Sequence, residues 1–98
     1  MHLMIVNFKL NGMTRQEYDA LLEEVGPAFP AVAGLQSKYY LADDAANTYG
    51  GVYIWESRQA MLDFQASEMF QGVKEHPGFT DFTVNDFDVI AEPTCVNG

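Results

Sequence analysis

The chain has 98 residues, 48% of them hydrophobic and 13% aromatic, and its fourteen acidic against five basic side chains give a formal charge of −9. Such a balance repels a phosphate backbone and an anionic membrane face, so neither nucleic acid nor a membrane is expected as a partner. The apolar content is too high for disorder, and one domain spanning 1–98 is expected, small enough that a partner subunit would help to complete its core.

No apolar run approaches the roughly 18 residues needed to cross a bilayer. The single cysteine, Cys95, has no internal partner, and the N-terminus lacks the basic-then-apolar pattern of a leader, so a reducing cytoplasm is the expected location.

In chain order, His2 to Leu10 alternates as a strand. Its even face (His2, Met4, Val6, Phe8, Leu10) is apolar after the first residue and should pack under helices, whereas Leu3, Ile5, Asn7 and Lys9 look out on the other side. Asn11-Gly12 ends the strand, and Thr14-Arg15-Gln16-Glu17 has the form of a capping box. The helix it opens should bury Tyr18, Leu21, Leu22 and Val25; Gly26-Pro27 either ends it or restarts it, and the stretch to Ala33 should be helical before Gly34 closes it.

Leu35 to Leu41 reads as a second strand with Tyr39 and Tyr40 on opposite faces. The polar stretch Asp43 to Thr48 then turns the chain into a third strand that includes Val52, Tyr53, Ile54 and Trp55. Ser57 stands as an N-cap before a helix marked by Ala60, Met61 and Phe64. A short helical turn follows over Ser67–Val73, and His76-Pro77-Gly78 is a turn signal. The last strand lies within Phe79 to Ile90. Phe82 and Val84 share one parity while Phe87 and Val89 share the other, which suggests a bulge or break near Asn85-Asp86. Glu92 to Gly98 is read as a tail.

The resulting order is βαββαβ, an α+β ferredoxin-like arrangement with a four-stranded antiparallel sheet. Two helices cover only one face of such a sheet. The bare Asn7 face should therefore close against a second copy, giving a homodimer, or wall a ligand cavity, or do both.

The run from Gly34-Leu35 to Gly50-Gly51-Val52-Tyr53-Ile54-Trp55, with Phe87-Asp88-Val89 and Glu92-Pro93, resembles the YdhR-like monooxygenases of the dimeric α/β-barrel superfamily. The resemblance implies a dimer and, by relation to antibiotic-biosynthesis enzymes, oxidation of a small aromatic or quinol-like molecule by molecular oxygen with no cofactor. Haem-degrading members of the superfamily share a Trp-x-Ser-x-x-Ala segment like Trp55 to Ala60. They use an Asn matching Asn7, but their Trp and axial His fall at Phe64 and Lys74 here, so haem is not expected as a cofactor.

Cofactor-free oxygenation needs a base, donors for developing negative charge and a dry pocket. Asn7 is the candidate donor to a substrate oxygen, its alternative being a cross-strand or dimer hydrogen bond. His76 is the candidate base, its alternative an exposed loop residue, and His2 is set aside because termini fray. Lys38, Tyr39, Tyr40 and Trp55 are candidates for binding the substrate, with packing as the competing role for the aromatic ones. Neither histidine pairs with a carboxylate at ligand spacing, and metal-binding and nucleotide-binding motifs are absent, so no metal site is expected. The competing function is a non-catalytic module that binds or senses a small molecule in the same cavity.

Overall fold

The computed structural model describes residues 1–91. Cys95 and the Glu92-Pro93 pair lie outside the described residues. Four strands form one antiparallel sheet in the order β2-β3-β1-β4: β1 is His2–Leu10, β2 Leu35–Asp43, β3 Thr48–Trp55 and β4 Phe79–Asp88. Helix α1 (Arg15–Val25) runs into a 3₁₀ segment, Gly26–Ala31, while α2 (Arg58–Gln65) and α3 (Glu68–Lys74) lie between β3 and β4. This is the ferredoxin-like α+β fold. No helix of the described residues is long and apolar enough to cross a membrane.

Local chemistry places each boundary where the residues require it. Thr14 caps α1 with the reciprocal box: its hydroxyl accepts from the Glu17 N–H, and the Glu17 carboxylate accepts from the Thr14 N–H. Ser57 and Ser67 accept from the Ala60 and Phe70 N–H groups to open α2 and α3. Past Val25, the Gly-Pro-Ala-Phe-Pro sequence tightens into 3₁₀ geometry and stops at Ala31, two residues short of the expected end.

Alternation along β1 divides the two faces as its sequence indicates. Met4, Val6 and Phe8 are buried under the helices with Tyr49, Tyr53, Trp55, Met61, Phe64 and Phe70, while Leu3, Ile5, Asn7 and Lys9 line the other face, half-buried. Two irregularities adjust the edges. β2 carries one extra residue between Leu35 and Ser37, and β4 carries one near Asp81, which takes a φ of 53°. The second corrects the expected position of the bulge: pairing from Thr83 to Asp88 is unbroken, so Val84 and Phe87 are simply the two faces of a regular strand.

His2 also departs from expectation. It is 3% exposed, with Nε2 2.6 Å from Asp86 Oδ2 and Nδ1 2.7 Å from Asp88 Oδ1. The register sets both carboxylates beside it: β4 pairs His2 with Asp88 and Met4 with Asp86, all on the helix side. The first strand is therefore anchored at its start instead of frayed.

Candidate active site between helices and sheet

The register of β2 decides where its side chains go. Lys38 pairs with Tyr53 and Tyr40 with Gly51, and those two β3 positions pair in turn with Met4 and Val6 of the buried row. Lys38 and Tyr40 thus point under the helices, and Tyr39, opposite Val52, points the other way. Between sheet and helices lies a cavity of about 450 Å³ whose walls include Tyr18, Phe29, Lys38, Tyr40, Tyr53 and His76. This cavity, which gathers polar groups among apolar walls, lies on the covered face of the sheet, whereas the expected one was on the bare face.

The Lys38 amine is the centre of this site. Nζ stands 3.1 Å from the ring centre of Phe29, 4.3 Å from that of Tyr40 and 4.7 Å from that of Tyr53. It has no hydrogen bond or ion pair to any described residue. Burial among the rings lowers its pKa from 10.5 to about 7, because a charged ammonium loses water there and gains only ring faces in exchange. Room for its stem comes from Gly51, where a Cβ would stand 3.2 Å from Lys38 Cε.

Around the amine, the phenols stay protonated. Burial pushes Tyr18 up to about 12, raises Tyr53 further and also raises Tyr40, so each hydroxyl is a donor at neutral pH. His76 enters from the turn after α3, its ring 4.7 Å from that of Phe79, and its Nδ1 accepts the Gly78 N–H at 2.9 Å. With that lone pair engaged, the neutral ring carries its proton on Nε2. His76 is thereby shaped as a donor and not as a free base.

The expected site residues do not all converge. Lys38, Tyr40 and His76 share the cavity. Asn7 is on the opposite face, its Nδ2 donating to Tyr49 O at 3.4 Å, which is the cross-strand bond named as its alternative role. Tyr39 is 63% exposed on that same face. Trp55 is fully buried in the core, stacked on Tyr53 at 6.0 Å and close to Phe64, and its indole N–H has no partner among the described residues. Phe29 was not a candidate from the sequence. Its position in a 3₁₀ segment hides it from helical periodicity, and only the 3.1 Å approach of its ring to Lys38 Nζ shows that it roofs the amine.

Comparisons with known proteins agree with this architecture. A putative antibiotic biosynthesis monooxygenase from Deinococcus radiodurans superposes with a TM-score of 0.78 at 16% identity, covering 100% of both chains. SnoaB, a cofactor-independent oxygenase from Streptomyces nogalater, gives 0.70 at 16% identity over 95% of this chain and 98% of its own. MhuD, a heme-degrader from Mycobacterium tuberculosis with two hemes bound in its active site, gives 0.73 at 17% identity over 92% and 96%. At these identities the likeness establishes the fold alone. No curated protein matches the sequence. A family model does match, from residue 3 to residue 98, and the chain accordingly belongs to the family described as "Putative mono-oxygenase ydhR".

Proposed function

We propose that this chain is a monooxygenase that acts without a bound cofactor on a small aromatic, phenol-like or quinol-like molecule held in the helix-side cavity. The observation that carries the reading is Lys38: an amine with no carboxylate to hold it protonated, set among aromatic walls. In this scheme the neutral amine takes a proton from the substrate, leaving an electron-rich anion that can pass electrons to oxygen. The ammonium then pairs with the anion, and the Tyr40 hydroxyl and His76 Nε2–H donate to the substrate oxygen. For a ring CH₂ flanked by aromatic groups the balance is simple: carbon loses four electrons and both hydrogens, one oxygen atom becomes the new carbonyl and the other leaves as water. Asn7, Tyr39 and Trp55 take structural roles in this account.

Haem does not fit these residues. The position that matches the degraders' axial histidine is Lys74, which is exposed on α3. His76 stands two residues further on, and its Nδ1 accepts from the Gly78 N–H, whereas a metal-ligating histidine ordinarily donates from its second ring nitrogen. A titration with haemin is expected to give no stoichiometric histidine-ligated Soret band.

Oxygen uptake tests the reading. With a panel of anthrones and naphthoquinols the chain is expected to consume oxygen, and Lys38→Met and His76→Ala to reduce kcat/KM by about 10²-fold or more, the usual weight of a positioned proton acceptor or donor. Saturable binding without oxygen uptake would instead identify a non-catalytic binding module.

A further inference from the structure

We propose that Lys38 is also a covalent carbonyl site, condensing reversibly with a small apolar aldehyde or ketone in the aromatic cavity to form an imine. This goes beyond the oxygenase reading and does not rest on it. Four features of the molecule converge on it. An amine nucleophile must keep its lone pair free, and Lys38 makes no hydrogen bond or ion pair among the described residues, whereas Lys9 donates to Ala46 O at 2.8 Å and Thr48 Oγ1 at 3.3 Å. The amine must face a space that can hold the carbonyl compound, and Lys38 lines a cavity of about 450 Å³.

Water must be scarce, because an imine in bulk water hydrolyses; the rings of Phe29, Tyr40 and Tyr53 enclose the nitrogen. Finally, the stem must be held so that the amine cannot swing out to solvent. Gly51 provides the slot: a Cβ there would press on Lys38 Cε at 3.2 Å.

The chemistry needs no oxidant or reductant. The nitrogen lone pair attacks the carbonyl carbon as the C=O pair moves to oxygen, and a proton transferred from nitrogen gives the carbinolamine. The C–O bond then breaks, oxygen leaves as water with a second proton, and the C=N bond forms. Donors for the departing oxygen face the same space: Tyr40 from β2, Tyr53 from β3, Tyr18 from α1 and His76 from the turn after α3. Glu24 of α1 is the carboxylate among the wall residues, and it is exposed.

Borohydride trapping decides the matter. The full chain is incubated anaerobically at neutral pH with 2-naphthaldehyde and cyanoborohydride, and the adducts are mapped by peptide mass spectrometry. The expected result is a saturable adduct on Lys38 that forms at least about tenfold faster than on Lys9 or Lys74, since near neutrality far more of a lysine with a depressed pKa is the neutral amine. Lys38→Arg should abolish it. Gly51→Ala, which keeps the amine but crowds its stem, should slow it severalfold in a protein whose circular dichroism is unchanged. Equal labelling of Lys9, Lys38 and Lys74, or saturable aldehyde binding with no trapped adduct at Lys38, would overturn the proposal. Running without oxygen separates this result from any failure of the oxygenase reading.

Discussion

At the scale of single residues, Lys38 should leave a signature in stability as well as in reactivity. Its pKa falls from 10.5 to about 7 on folding, so between those values the unfolded chain holds a proton that the folded chain has released. Stability therefore rises with pH across that window, and below about pH 7 the fold carries the whole cost of a charged amine among aromatic rings. Chemical denaturation of wild type and Lys38→Met at pH 6.5 and pH 9.5 is expected to show the wild type gaining on the order of 2 kcal/mol relative to the variant, after allowance for solvent reaching the half-buried side chain. An identical pH dependence for the two proteins would contradict the burial argument. The candidate site was legible in the sequence only in part. Lys38, Tyr40 and His76 stood out as polar side chains in strands and turns, but their shared cavity depends on strand parity. One extra residue at the start of β2 sets that parity against β3, and a bulge of that kind has no marker in Leu35-Gln36-Ser37.

At the scale of elements, the β1 face assignment and the Gly50-Gly51 pair carry the fold. Phe8 is 5% exposed and stacks on Phe79 at 4.2 Å, whereas Lys9 sits on the other face and donates to the β2–β3 turn. Phe8→Asp is expected to unfold the chain, and Lys9→Asp to leave it folded at a cost of about 1 kcal/mol, in thermal melts of the two variants. Gly50 takes a φ of 148°, and a Cβ there would stand 1.8 Å from the Val6 carbonyl oxygen. Gly50→Ala should cost about 3 kcal/mol or more by denaturant titration, since β1 and β3 would have to part at the middle of the sheet. Removing the α1 cap with Thr14→Ala is a milder test, expected at about 1 kcal/mol. Most of these elements were readable because their signals are local: the capping box, the serine caps, the alternation in β1 and the glycine pair. What escaped the sequence was non-local. The β4 bulge at Asp81 shows only in the register of β4 against β1, a neighbour distant in sequence, and the burial of His2 depends on Asp86 and Asp88 arriving at the far end of the chain.

At the scale of the whole molecule, the uncovered face of the sheet presents Leu3, Ile5, Val52 and Ile54 half-buried, with Tyr39 63% and Phe87 57% exposed. We propose that a second copy covers it, because a two-fold contact repeats each apolar gain on both chains. Sedimentation at micromolar protein should give about twice the 10.9 kDa chain mass at low and moderate salt, since the charge of −9 opposes association only through screenable surface groups. A folded monomer under both conditions would contradict it. In this arrangement the dimer face and the helix-side cavity lie on opposite sides of one sheet. The most direct test of the cavity as the functional site is a backbone and side-chain NMR titration with a non-oxidisable hydroxynaphthoquinone. The account predicts shifts centred on Phe29, Lys38, Tyr40, Gly51 and His76; shifts centred on Asn7, Tyr39 and Phe87 instead would contradict it.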